Sequence, residues 1–400
     1  MNTLTNHIAT RPIQTIFKLA CVAAILAGCG GGGSGGTTST SSFASGPISG
    51  FGSVIVNGVR FDDSSAKVSS DDDDNNEVHN RSELKLGMVV EIQGGGTTSD
   101  DSGRHGRANE IQFGSELVGP VGATIDVAGK SFTVLGQTVK VTDTTIFDSS
   151  IAAGITALKS GDVLEIHGLR DANNVITATR IEPKVAPAFF KIRGTVQSVD
   201  TTLLTFVIGG ETISYGSLTP VPVKDQVLRV KVQTTKVNGA WVAIKIKSGV
   251  HKVEDHDEAE IKGSITEFTS KTNFKVNGIA VDATGVANLP SGLAMGVMVE
   301  VEGKASNGTI VATKVEIEDK NNAAANEFEF HRRIATANAG AKTFVIDTTT
   351  ISWDDSTVFE KGATSLSLTA NTCVEVKATA MSGSTTLHAT RIKLDNTCTQ

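Results

Sequence analysis

Carboxylates and imidazoles hold whatever chemistry this sequence offers. Asp62 to Asn80 reads DDSSAKVSSDDDDNNEVHN. Within it Asp71, Asp72, Asp73, Asp74 and Glu77 crowd enough oxygens into a short run to ligate Ca²⁺, a hard cation that takes about six to eight of them. The spacing is not that of an EF-hand and lacks its central turn glycine, so a solvated acidic loop is the competing reading. His251 to Glu260, HKVEDHDEAE, places two imidazoles among five carboxylates, a set able to hold Zn²⁺ or Ni²⁺ or to serve as a polar linker. His79, His105, His167, His331 and His388 are scattered, and no serine lies in a GxSxG elbow, so nucleophilic catalysis finds no support. Gly103 to Arg107, GRHGR, reads as a cationic spot neutralising Asp100 and Asp101 beside it. Trp241 and Trp353 are candidates for stacking on sugar rings or for packing in a core.

The elements that must position these groups are predicted to be short strands and turns. Gly, Thr and Val abound while aromatics are few, with one Tyr and two Trp. The formal net charge of −7 gives no basic footprint, which disfavours a nucleic-acid partner. Nothing in the pattern calls for a cofactor, and no clustered catalytic constellation marks an enzyme. The four cysteines are Cys21, Cys29, Cys373 and Cys398, too few and too dispersed for metal-thiolate chemistry.

At the N-terminus, Arg11 and Lys18 precede the apolar run LACVAAILA, Leu19 to Ala27, which has the length of a signal peptide and is too short to span a bilayer. Leu26 to Cys29, LAGC, resembles the lipobox of bacterial lipoproteins. That resemblance implies a signal peptide over 1–28 and acyl chains on Cys29, which would hold the protein to a membrane. Residues 29–46, rich in Gly, Ser and Thr, read as a flexible tether spanning on the order of 20 Å. Gly30 rather than Asp after the cysteine implies the outer membrane, by similarity to sorting in enteric bacteria, with the body either periplasmic or surface-exposed. Export places Cys373 and Cys398 in an oxidising compartment, and with Cys29 lipidated they are predicted to form a disulfide. Taking the last two strands as symmetric about position 382 sets Arg391 opposite Cys373, so Cys398 must fold back to reach it.

Internal repetition dominates the rest. VIVNGVRF from Val54, FTVLGQTV from Phe132, FVIGGETI from Phe206, FKVNGIAV from Phe274 and FVIDTTTI from Phe344 share one apolar spacing, and most centre on residues that tolerate positive φ. Each is predicted to be a tight hairpin. After each comes a second element, LKLGMVVEI from Leu84, LKSGDVLEI from Leu158, PVKDQVLRV from Pro222, LAMGVMVEV from Leu293 and LTANTCVEV from Leu368. A third follows at Ala108, Ala178, Ala243, Ala312 and Ala389, as in ATRI. With a leading strand, each copy holds about five strands, which most naturally close into a small barrel with no exposed edges. The third copy departs by carrying Arg229 where the others have Glu, and the fifth lacks the hairpin glycine. Together these elements resemble an uncharacterised bacterial domain family of unknown function, whose members are tandem OB-like barrels in exported lipoproteins.

The predicted fold class is therefore all-β: five tandem, small, OB-like five-stranded barrels after the signal peptide and tether. The copies are placed at 47–115, 116–186, 187–250, 251–320 (polar linker included) and 321–400. Such barrels, each roughly 28 Å across, would reach about 140 Å if set in a row. The expected function is a non-enzymatic envelope array for binding or spacing. The alternatives are a module that binds polysaccharide or a partner protein on one or two barrel faces, and a Ca²⁺-binding surface protein acting through 62–80. If LAGC directs acylation, Cys29→Ala leaves an unprocessed or misplaced precursor. Wild-type processing and membrane partitioning of that variant, read by fractionation and intact mass, would remove the lipid anchor.

Overall fold

The computed structural model describes residues 40–73, 77, 79–100, 103–250, 252–318, 327–381, 385–395 and 398. The stretch read as a signal peptide, Cys29, Asp74 and His251 lie outside the described residues. From Ser39 onward the chain is one compact unit. Among the described residues there is no α-helix, and no helix long and apolar enough to cross a membrane.

The strands close into small five-stranded barrels. In the ring spanning 41–113 the strands are β1 (Ser41–Phe51), β2 (Val54–Val56), β3 (Val59–Asp62), β4 (Lys67–Ser70), β5 (Val89–Gly95), β6 (Thr98–Asp100) and β7 (Gly103–Phe113). The circuit runs β1-β2-β3-β7-β5 and back to β1, with β3 and β7 parallel and the other pairs antiparallel. The same circuit recurs over 117–183 with β8 (Leu117–Asp126), β9 (Ser131–Val134), β10 (Gln137–Lys140), β11 (Ile146–Phe147), β12 (Val163–Arg170) and β13 (Ile176–Pro183). Over 190–248 it uses β14 (Phe190–Thr195), β15 (Ser198–Asp200), β16 (Thr205–Ile208), β17 (Glu211–Ser214), β18 (Val227–Val232) and β19 (Trp241–Ser248). Over 256–317 it uses β20 (His256–Ser270), β21 (Asn273–Val276), β22 (Ile279–Asp282), β23 (Met298–Ser306) and β24 (Thr309–Ile317). Over 327–394 it uses β25 (Glu327–Arg333), β26 (Thr336–Asn338), β27 (Thr343–Ile346), β28 (Thr349–Ser352), β29 (Val358–Glu360), β30 (Cys373–Ala380) and β31 (Leu387–Leu394).

The hairpin octets sit where the sequence places them. At the turn of β2 and β3, Asn57 and Gly58 take φ 50° and 76°, the paired left-handed conformations that a two-residue turn of this twist requires. Asp347 takes φ 52° at the corresponding turn between β27 and β28, a conformation Asp tolerates, so the missing glycine does not break the hairpin.

Two sequence-derived boundaries move. Ser41–Gly46, assigned to the tether, belong to β1, where Ser42, Phe43, Ala44 and Ser45 are all buried. His256–Glu260, assigned to a polar linker, open β20. The reason is shared: Ser42–Ser45 pair in parallel with Glu258–Ile261, and the Phe43 ring stacks on His256 with centroids 5.8 Å apart. The other end of β1 pairs in parallel with β25, Gly50 opposite Glu329 and Phe51 opposite Phe330. A Cβ on Gly50 would stand 2.1 Å from the Glu329 carbonyl oxygen, so only glycine allows that approach. The 117–183 and 190–248 rings join through β8 and β14. Barrels distant in sequence are thus paired edge to edge, and an end-to-end row of additive reach does not form.

Apolar burial follows the same joins. One continuous core combines side chains of the 41–113 and 327–394 rings, among them Ile48, Val56, Phe330 and Val376. A second combines the 117–183 and 190–248 rings. The core of the 256–317 ring takes in Phe43 from β1.

Cys373 and Cys398 are joined in a disulfide with Cα atoms 5.7 Å apart. The register differs from the symmetric expectation: β30 runs on to Ala380, so Arg391 faces Lys377, and a bulge separates that pair from Ala378 and Ala389. Asp395 is the residue whose N–H donates to the Cys373 carbonyl, at 3.1 Å, which leaves Cys398 only a short return. Closing a loop of 25 residues stabilises the fold by on the order of 3.5 kcal/mol in the chain-entropy description.

Candidate functional site

The acidic run of the 41–113 ring is docked against the 190–248 ring. Lys191, on β14 and wholly buried, places Nζ 3.3 Å from Asp71 Oδ1 and 2.8 Å from Asp72 Oδ2. Arg229 on β18 pairs with the other Asp71 oxygen. Lys231 and Lys247 donate to the main-chain carbonyls of Asp72 and Asp73 at 2.5 and 2.9 Å. Burial opposes the Lys191 charge, yet Asp71, Asp72 and Glu165 hold its ammonium above the ordinary lysine range. Arg229, the basic departure in a position that is otherwise Glu, therefore has a reason: it faces the acidic insertion of another copy. Behind it Glu116, also buried, accepts from Arg170 at 3.0 Å and from Arg193, tying β8 to β14. Burial works against the Glu116 charge, but Arg193 and Arg170 outweigh it and keep its carboxyl below the usual range.

Of the five oxygen donors proposed for Ca²⁺, the four that are described do not converge as one set. Asp71 and Asp72 face Lys191 and Arg229, while Asp73 gathers with Glu77 and His79. His79 bridges Glu83 at 2.7 Å and Asp73 at 2.9 Å, and the Glu83 contact raises its pKa. Arg104 of GRHGR pairs with Glu260 across the β1–β20 join at 2.6 Å, and His105 takes Asp100 at 3.2 Å. Both tryptophans are buried in barrel cores, Trp241 against Phe190 and Trp353 against Phe344. His388 Nε2 lies 3.3 Å from Ser356 Oγ, but that hydroxyl donates to Asp354 at 2.6 Å, so this imidazole does not face a free hydroxyl.

A cleft of about 1520 Å³ opens between the 41–113, 117–183, 256–317 and 327–394 rings. Its walls mix cations such as Arg60, Lys130 and Lys393 with Glu300, Glu329 and Glu375, over apolar patches from Ile48, Leu169, Met298 and Phe328. His331 sits among carboxylates there, with Nε2 3.0 Å from Glu329 and Nδ1 3.3 Å from Asp395. Across the cleft Glu300 is raised to about 8, chiefly by burial and then by the charge of Glu260, against which Lys262 at 4.0 Å is too distant to compensate. Glu260 is raised as well, again by burial first. One wall of the cleft therefore carries a carboxyl that holds its proton well above the usual carboxylate range. None of Lys191, Glu116, Arg170 or Glu300 stood out in the sequence, and the only signal toward them was the Arg229 departure.

Closed five-stranded rings joined through their first strands define a repeat protein of small β-barrels. Residues 118–182, 262–316 and 333–393 match the family described as Domain of unknown function (DUF5666). No curated protein matches the chain. The matched stretches fall in the 117–183, 256–317 and 327–394 rings. The acidic loop and Arg229 both lie outside them.

Two outcomes follow. Asp71→Ala leaves Lys191 and Arg229 short of counter-charge in a buried setting and is expected to cost about 3–5 kcal/mol in urea unfolding; adding Arg229→Ala should recover part of it, and strict additivity of the two would dissolve the link. For Glu300 the folded pKa lies above the unfolded value, so the folded state retains a proton that the unfolded chain releases. Its contribution is complete below about pH 4.5 and is lost as pH rises through about 8. Urea midpoints that fall over this window in the wild type and stay flatter in Glu300→Gln are the expected record.

Proposed function

We propose that this chain is a lipid-anchored, outer-membrane-associated protein of five OB-like barrels whose role in the envelope is non-enzymatic binding, with a polysaccharide or a segment of a partner protein lodged in the shared cleft. The observation that carries this reading is that four rings, two from each half of the chain, contribute walls to one cleft of about 1520 Å³. Spacing alone favours barrels in a line, whereas these are joined sideways through β1, an arrangement that spends reach to create a concave surface. Ligand sites are concave, and here charged and polar groups stand beside apolar patches around Met298 and Phe328, a mixture suited to a polyhydroxylated chain or a peptide segment. The acyl-free Cys29→Ala protein, applied to a glycan array and to envelope protein fractions, is expected to bind saturably. Met298→Trp, which fills the cleft wall, should weaken that binding by about tenfold or more, an order of 1.4 kcal/mol. Saturable binding that Met298→Trp leaves unchanged would move the site to a barrel face, and no saturable ligand at all would favour the spacer.

A further inference from the structure

His167 on β12 has one ring nitrogen too many for its surroundings. The residue is fully buried. Its Nδ1 lies 3.0 Å from the Gly114 carbonyl, which can only accept, so Nδ1 carries a proton and Nε2 is the nitrogen left to face the carboxylates. Nε2 has no hydrogen-bond partner. What it faces is another acceptor, Glu182 Oε1 on β13 at 3.7 Å, and the Glu165 carboxylate completes a set whose donor atoms all lie within 4.8 Å of one another. Lone pairs turned toward each other in a barrel wall are unfavourable unless something positive sits between them.

Two fillers are chemically sensible, a proton on Nε2 or a metal ion. A proton would draw nitrogen and oxygen to a hydrogen-bond length, and 3.7 Å is well beyond one. Two ligands on one small divalent ion, bonded at about 2.0–2.1 Å in tetrahedral geometry, stand roughly 3.4 Å apart, so His167 and Glu182 need close by only a few tenths of an ångström, while Glu165, whose ligand atom lies within 4.8 Å of theirs, swings in to complete the set. The Nδ1–H···O=C contact with Gly114 is the outer-shell bond that fixes tautomer and ring plane in metal-bound histidines. The second oxygens of the carboxylates are already anchored, Glu182 by Lys85 at 2.5 Å and Arg180 at 3.3 Å, Glu165 by Lys184 at 2.5 Å. Those cations remove any excess of negative charge. The site therefore selects against Ca²⁺ or Mg²⁺, held mainly by charge, and for an ion that gains from imidazole donation. His331 makes the contrast: both of its nitrogens meet carboxylates at hydrogen-bond range, which a proton alone satisfies.

We propose that His167, Glu165 and Glu182 form a binding site for a first-row divalent transition ion of the zinc class. The full chain, stripped with chelator, loaded with Zn²⁺ and desalted, is expected to retain a single ion by elemental analysis. His167→Gln should weaken retention by at least about 100-fold, the upper end of what losing even an outer-shell partner costs, while His331→Gln leaves it unchanged. Co²⁺ in place of Zn²⁺ should give the visible absorption of a low-coordinate site, absent in Glu165→Gln, a variant that tests the same site if His167→Gln does not fold. No retained Zn²⁺, or retention indifferent to both variants, would each overturn the assignment.

Discussion

A strand has two hydrogen-bonding edges, and in β1 neither edge is used up by its own ring. Closure of a small barrel staggers the pairing, so β5 covers residues 41–47 along one edge while β2 covers only the far end of the other. Half of each edge is left over, and unpaired backbone groups in a buried strand are costly. The first half-edge is filled by β20 and the second by β25. Because one strand serves both, the 256–317 and 327–394 rings are brought to the same neighbour, and the cleft is the space that remains between them.

Charge follows from that arrangement rather than directing it. Once the rings are held side by side, polar faces that would be wet in isolation are covered, and each covered charge needs a partner. The Asp71–Lys191–Arg229 and Glu116–Arg170–Arg193 groups meet this need by setting each carboxylate against two cations. The Glu260–Glu300 pair, with Arg104 and Lys262 nearby, meets it only in part and holds a proton instead. Buried ion pairs of this kind contribute little net stability over apolar packing, but removal of either partner is expensive, so they fix which ring faces which.

What the sequence made legible was local and repeated. Asn57-Gly58 and its counterparts give their turns away through residue type alone. Contacts between copies had no such signature. Arg229 was visibly out of place, but its partner Asp71 is far away in sequence, and nothing local connects an acidic insertion in one copy with a basic replacement in another. Cys373 and Cys398 were paired correctly by elimination, whereas the register beside them was not, because a bulge at Ala378 has no composition of its own. Ser41–Gly46 misled most directly: Ser, Ala and Gly describe a tether and a strand packed on both edges equally well.

That composition has a meaning in time. A ribosome delivers β1 early, and Asp257, which accepts from the Ser41 N–H, lies 216 residues later. At ordinary elongation rates the delay is on the order of tens of seconds. Through that interval the nascent chain carries a strand whose spare half-edges have no mate, the situation in which chains pair with one another instead of with themselves. A stretch of Val and Ile would wait badly. Ser41, Ser42, Ser45, Gly46 and Pro47 are small, polar or unable to donate, so the segment is poorly adhesive until β20 and β25 arrive to give it a place.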